Sequence, residues 1–118
     1  MVKSSVGDMP AEDASYVVAA NPAVPINTDI AFMIPLGTGA NPWNTAATPI
    51  RGKIGQKIVI TNGDTVVHRM HTGGKPCPHG ANIMPGQSAV CLINSAFIGN
   101  DYDHNLGTAA KVFFETTN

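Results

Sequence analysis

Charged residues are scarce in this chain, and no charge-driven partner is indicated. They make up 13% of the 118 residues, the net charge is −1, and the seven lysines and arginines are scattered rather than clustered. A protein that binds nucleic acid or an anionic membrane electrostatically needs a concentrated basic surface. The composition therefore predicts no nucleic-acid partner and no membrane-surface partner.

Long apolar runs are also lacking. No run approaches the roughly 20 residues that span a bilayer, so no membrane span is predicted. The first residues lack the continuous apolar core of a signal peptide, because Asp8, Glu12 and Asp13 interrupt them. If the protein is exported, we expect this chain to be the mature form. A hydrophobic content of 43% argues against disorder, and the length predicts one domain over residues 1–118.

Motifs of the common enzyme classes are missing as well. The chain has no G-x-S-x-G nucleophile motif, no P-loop, no C-x-x-C pair and no HExxH zinc motif. Glu12 and Asp13 are neighbours in sequence rather than two carboxylates placed across a cleft. The sequence thus names no substrate and indicates no catalytic residue.

Turn-forming residues are abundant and divide the chain into short apolar segments. Nine prolines and twelve glycines separate segments rich in β-branched residues, which favours an all-β sandwich or barrel. The predicted strands are SYVVAA (15–20), DIAFMIP (29–35), QKIVIT (56–61), TVVHRMH (65–71), SAVCLIN (88–94) and AKVFFET (110–116). A short helix within residues 9–20, capped by Asp8, is the alternative for the first of these. Residues 37–49 are predicted to form an irregular loop that carries Trp43.

The residues capable of metal chemistry are concentrated in one third of the chain. All four histidines and both cysteines lie there: His68, His71, Cys77, His79, Cys91 and His104. Imidazole ligands suit copper, zinc, nickel and iron, and thiolates favour copper and zinc. If 65–71 is a straight strand, His68 and His71 lie on opposite faces and cannot ligate the same ion. Either the strand ends near Met70 and His71 turns back, or only one of the two is a ligand.

The two cysteines have two competing uses. They are fourteen positions apart, and a disulfide between Cys77 and Cys91 would staple a loop to the following strand. That pairing requires an oxidising compartment. The alternative is that Cys77 or Cys91 supplies a thiolate ligand, although Cys91 sits in an apolar strand and also fits a small buried residue.

The second half of the chain resembles the cupredoxins. The resemblance rests on Gly55-Gln56, the strand after it, and the spacing of Asn62, Asp64 and His68 in N-x-D-x-x-x-H. MPGQS (84–88) resembles the turn before a later strand of the family, and YDHNLGTAAKVFFE (102–115) resembles its last ligand loop and strand. The resemblance covers residues 48–118 and implies a cupredoxin-like Greek-key β-sandwich. It also implies a loose connection after Asn62, whereas the Asn62-Gly63 pair by itself predicts a tight hairpin.

One departure from the family bears on function. Blue-copper cupredoxins carry a cysteine ligand shortly after the tyrosine of the last loop, whereas here Tyr102 is followed by Asp103 and His104, and no cysteine follows. The resemblance then implies a nitrogen-rich copper site of His68 and His104 with His71 or His79 as third ligand. Asp103 is expected to orient His104 or to bind directly. Met70 and Met84 are expected to be core or turn residues, Tyr102 to pack, and Arg69 and Lys75 to be solvated.

We therefore predict a periplasmic or extracellular protein that binds one copper ion, in copper handling or redox chemistry, with a redox or copper-delivery protein as partner. Two alternatives remain. One is an electron-transfer protein whose copper is bound by the Cys77 thiolate. The other is a metal-free β-sandwich used for structure or adhesion.

Overall fold

The structure, a computed structural model, describes residues 28–118 of the chain. The predicted strand at 15–20 and its helical alternative within 9–20 lie outside the described residues. The assignment of residues 1–118 to a single domain remains a prediction.

The described residues form seven strands and no helix. In chain order they are β1 (Ile30–Ile34), β2 (Ile50–Lys53), β3 (Lys57–Asn62), β4 (Met70–His71), β5 (Ser88–Leu92), β6 (Phe97–Asp103) and β7 (Gly107–Thr117). Within this part of the chain, no helix exists that would be long and apolar enough to cross a membrane.

The strands form two mixed sheets. One has the order β1-β3-β5, in which β3 runs parallel to β1 and antiparallel to β5. The other has the order β2-β7-β6-β4, in which β7 runs parallel to β2 and antiparallel to β6. Strand β4 lies at an edge of this second sheet and pairs His71 with Tyr102 of β6. This all-β arrangement confirms the predicted β-sandwich class.

The core consists of side chains that alternate along the strands. In β3, Ile58 and Ile60 are buried while their neighbours are less so, and in β7 the same alternation buries Val112 and Phe114. Period-two alternation of this kind is what a strand with one face on a core requires. The inward face of each sheet is therefore apolar, and the outward face is available for polar groups.

After Asn62 the chain takes the loose connection that the resemblance implied, and two structures that the local pattern favours, a tight hairpin and a strand over 65–71, are not formed as such. The Asn62-Gly63 pair forms no tight hairpin, since β3 pairs with β1 and β5 rather than with the residues after it. The side chain of Asn62 instead organises a wider turn, accepting from the amide of Asp64 and donating to the carbonyls of Val66 and Ile83. Most of 65–71 is consequently not a strand, and only Met70 and His71 join a sheet.

Two strands were not predicted from the pattern of apolar segments. Strand β2 contains Arg51, Gly52 and Lys53, and β6 contains Gly99 and Asn100, so both lack a run of β-branched residues. Their pairing with the long, apolar β7 supplies the backbone hydrogen bonds that local propensity does not favour.

Candidate metal centre

Three histidines converge at the edge of the second sheet. His71 ends β4, His79 lies in the loop between β4 and β5, and His104 directly follows β6. One ring nitrogen from each lies within 4.8 Å of the other two. Sequence analysis offered His71 and His79 as alternatives for one ligand position, whereas the fold brings both to His104.

The spacing of the three rings suits one transition-metal ion after small side-chain movements. Nitrogens bound at about 2.1 Å to one ion can lie at most about 4.2 Å apart. The ring nitrogens here lie up to 4.8 Å apart, so a pair at that distance would close if each ring moved by a few tenths of an ångström. His79 and His104 are exposed and His71 is half-buried, so their side chains have room to make this adjustment. The geometry and donor chemistry therefore fit a metal ion.

Two of these rings already face each other through their nitrogens. The Nδ1 atoms of His71 and His104 are 3.2 Å apart, a hydrogen bond in which one ring donates and the other accepts. His71 also stacks on Tyr102, with ring centroids 4.5 Å apart and planes inclined by 21°. Tyr102 thus fixes the plane of one candidate ligand, which agrees with its expected packing role.

The third ring is held by its own loop. The amide of Thr72 donates to Nδ1 of His79 at 3.2 Å, and the carbonyl of Thr72 lies 3.4 Å from the same nitrogen. In the second contact a protonated Nδ1 would donate to the carbonyl and leave Nε2 unprotonated, the arrangement common in metal-binding histidines. The role of Thr72 was not predicted, because a threonine seven residues before a histidine is not a recognised metal-site motif.

A disulfide anchors this loop to the body of the sandwich. Cys77 and Cys91 are bonded, with Cα atoms 5.5 Å apart, and Cys91 belongs to β5. The loop is also held by a hydrogen bond from the amide of Asn94 to the carbonyl of Pro76 at 2.7 Å. The predicted disulfide is present, and the alternative in which Cys77 supplies a thiolate to copper is wrong because its sulfur is bonded to Cys91.

His68 occupies a different place from the three converging histidines. Its side chain is fully buried, with Nδ1 2.5 Å from a carboxylate oxygen of Asp103 and Nε2 2.9 Å from one of Asp64. Both ring nitrogens thus contact buried carboxylates, and neither is among the nitrogens that converge in the surface cluster. In this structure His68 therefore bridges two carboxylates in the interior, and its role as a principal copper ligand stays a prediction.

The alternation argued from sequence explains this separation. His68 and Met70 are buried on the inward side, whereas Arg69 and His71 lie on the outward side. Because His68 and His71 point to opposite faces, only His71 reaches the surface cluster. The methionines behave as expected, since Met70 is a core residue and Met84 is exposed in the turn before β5.

Asp64 completes the buried side of this network. Its carboxylate accepts from His68 and from the amides of Gly37, Gly39 and Thr65. The hydrogen bond with His68, followed by those from the three amides, holds the pKa of Asp64 well below its usual value. Asp64 thus ties the loop after β1 to the residue pair behind the candidate metal centre.

Asp103 forms hydrogen bonds with the backbone beside His104 and none with its imidazole. One of its oxygens accepts from the amides of Asn105 and Leu106 at 2.9 and 3.2 Å. The other accepts from His68 and from Nε1 of Trp43. Asp103 is fully buried and its oxygens are engaged in this way. The structure therefore shows it as a support for the β6–β7 turn and does not place it at His104 as a ligand.

His104 lies in a positively charged neighbourhood. Partial desolvation, followed by the Arg69 cation and the other two histidines, lowers the pKa of His104 despite the opposing charge of Asp103. A lowered pKa favours the neutral imidazole, which is the form that binds metals.

Comparisons with known proteins support the fold and leave the family open. No protein-family profile matches the sequence, and no curated protein matches it. Among solved structures, the chain is similar to a purple cupredoxin from Nitrosopumilus maritimus, with a TM-score of 0.55 and 16% sequence identity. The match covers 75% of this chain and 99% of the other. At this identity the similarity shows a cupredoxin-like fold, as predicted.

Proposed function

We propose that this protein binds one copper ion through His71, His79 and His104 and serves in copper handling. The observation that carries the proposal is the convergence of these three side chains from separate parts of the fold, each with a ring nitrogen within 4.8 Å of the others. Three imidazoles suit copper, zinc, nickel and iron. The fold shared with a protein described as a cupredoxin favours copper among these.

The donor set favours a weakly coloured site over a blue one. The intense colour of blue-copper sites depends on a copper–thiolate bond, and both cysteines of this chain are in the disulfide. A histidine-only site favours tetragonal Cu(II) with open coordination positions. Because two of the three rings are exposed, the ion would be accessible to a redox or copper-delivery partner.

The disulfide supports a periplasmic or extracellular location for this role. Disulfides persist in oxidising compartments and are rare where thiol reductants are abundant. In such a compartment the bond stays intact and keeps closed the loop that carries His79.

A competition titration tests the proposal. The protein is titrated with Cu(II) against a chelator of known affinity, in the wild type and in the single variants His71→Ala, His79→Ala and His104→Ala. Outer-shell substitutions typically cost about 10–100-fold in metal affinity, so loss of any of the three ligands should cost more than about a hundredfold. A stoichiometry below one ion per chain, or wild-type affinity in all three variants, would mean that the cluster is not the copper site. Parallel titrations with Zn(II) establish which metal is preferred.

A further inference from the structure

The candidate metal centre has a cation beside it, Arg69, that forms no ion pair with an acidic residue within residues 28–118. Arg69 is separated by one residue from His71, and both lie on the outward side of the segment that ends in β4. Across the sheet edge, the amide of His104 donates to the carbonyl of Arg69 at 2.6 Å. This bond continues the register that pairs Met70 with Asp103, so Arg69 and His104 are opposite neighbours.

The guanidinium of Arg69 is held near the third histidine as well. Its Nε donates to the carbonyl of Gly80 at 2.7 Å, and Gly80 directly follows His79. No other side-chain hydrogen bond of Arg69 is formed with residues 28–118, so within this part of the chain the terminal nitrogens of the guanidinium are available as donors. Among the residues that the structure describes, the ion pairs are Arg51–Glu115 and the two carboxylate contacts of His68, so Arg69 has no carboxylate partner there.

The acid adjacent to His104 in the chain, Asp103, is already hydrogen-bonded to other groups. Asp103 is buried, and its oxygens accept from His68, from Trp43 and from backbone amides, including that of Arg69 itself at 3.4 Å. The cluster therefore consists of three neutral or cationic imidazoles and one guanidinium. With a divalent ion bound, this corner of the surface would carry about three uncompensated positive charges.

From this arrangement we infer that Arg69 makes the centre a binding site for a small monoanion with two acceptor atoms, such as a carboxylate-like or azide-like ion. The inference rests on the proposed metal site, since one acceptor atom takes the coordination position that three histidines leave open. The other accepts from the guanidinium, whose planar set of donors suits such an anion. The expected ligand class is thus anionic and small, and a neutral ligand of similar size would gain less from Arg69 because it carries no opposite charge.

Azide serves as the probe of this site. Protein loaded with one equivalent of Cu(II) is titrated with azide, and binding is followed by the azide-to-copper charge-transfer band and by EPR. Four proteins are compared: wild type, Arg69→Gln, Arg69→Lys, and the control Arg51→Gln. The control makes the same chemical change at an exposed arginine whose partner is Glu115. Copper content is measured in each sample before azide is added.

We expect azide to bind the wild type and Arg51→Gln equally, and Arg69→Gln roughly tenfold more weakly, because one charge-assisted hydrogen bond is lost. Arg69→Lys should retain part of the affinity because it keeps the charge. In the wild type, azide affinity should fall with ionic strength more steeply than in Arg69→Gln.

Equal azide affinity in the wild type and Arg69→Gln, with copper fully bound in both, would overturn the inference and leave the proposed copper site intact. Absence of bound copper in the wild type would overturn both. If Arg69→Gln does not fold, the test moves to Arg69→Lys, which keeps the charge but loses the planar set of donors and should bind azide more weakly than the wild type. Equal azide affinity in the wild type and Arg69→Lys, with copper fully bound in both, would then refute the role of Arg69.

Discussion

Replacing His68 by glutamine separates a structural role of this residue from a metal-binding one. The imidazole is fully buried and contacts Asp103 on one side and Asp64 on the other. Removing one partner of a buried ion pair typically costs about 3–5 kcal/mol, because the remaining charge is left uncompensated. Glutamine keeps one donor, so we expect the unfolding free energy to fall by about 3 kcal/mol, at the lower end of that range.

Urea unfolding measures this loss, with Trp43 as an internal probe. Trp43 is the only tryptophan, it is buried, and its ring lies 5.7 Å from that of His68 in an edge-to-face arrangement. Far-UV circular dichroism provides a second signal that does not depend on the tryptophan environment. Equal m-values in the two proteins would show that stability alone has changed. A loss of about 3 kcal/mol also corresponds to a melting temperature lower by about 10 °C.

His79→Gln is the matched control, because it makes the same change at an exposed histidine of the cluster. We expect it to alter stability by no more than about 0.5 kcal/mol and to abolish tight copper binding, whereas His68→Gln loses stability and retains one copper ion when folded. The opposite result, a stable His68→Gln protein that no longer binds copper, would refute the assignment of His68 and restore it as a ligand.

Three further predictions concern other groups. Burial raises the pKa of Asp101 to about 6, and its Oδ2 has no hydrogen-bond partner among the described residues. The folded state therefore holds a proton that the unfolded state releases, and stability falls as pH rises from about 4 to 6. Asp101→Asn should remove this pH dependence and raise the unfolding free energy at pH 7 by about 1 kcal/mol, allowing for partial exposure. Urea unfolding at about pH 4 and at pH 7 checks this. A variant that is less stable than the wild type at pH 7 would contradict it. Replacing Cys77 and Cys91 together by alanine should lower the unfolding free energy by about 3 kcal/mol, from the chain entropy of the loop they close. It should also weaken copper binding about tenfold, because His79 loses its anchor. Unchanged copper affinity in the folded double variant would show that the loop needs no anchor. Copper affinity should fall as the pH is lowered, because protons compete with the metal ion for the imidazole nitrogens. The lowered pKa of His104 delays that competition at this ligand; competition titrations across pH would contradict the site if affinity did not change.

Much of the fold could be predicted because its strongest strands carry their own signal. The alternation in β3 and the apolar length of β7 are visible in the sequence, and the spacing of Asn62, Asp64 and His68 indicated the fold type. Strands β2 and β6 could not be found in this way, because their stability comes from pairing with β7. The turn after Asn62 could not be decided from its own residues, since a tight hairpin and an asparagine-organised turn begin with the same residues.

The sequence predicted that the candidate site consists of histidines, but it predicted only in part which histidines these are. The sequence placed all four histidines in one region, and strand alternation already separated His68 from His71. It could not show that Asp64 and Asp103 would hold His68 in the interior, because Asp103 is thirty-five residues away in the chain. Arg69 was expected to be solvated for a similar reason, since its place opposite His104 depends on the pairing of β4 with β6.

The EPR spectrum of the protein after one equivalent of Cu(II) and removal of unbound metal tests the copper proposal most directly. We expect one retained ion, with a wide parallel hyperfine splitting and couplings to imidazole nitrogens, and we expect this signal to be lost in His104→Ala. A sample that retains no copper would contradict the metal site. A narrow splitting, the mark of a copper–thiolate bond, would contradict the histidine-only ligand set and the disulfide together.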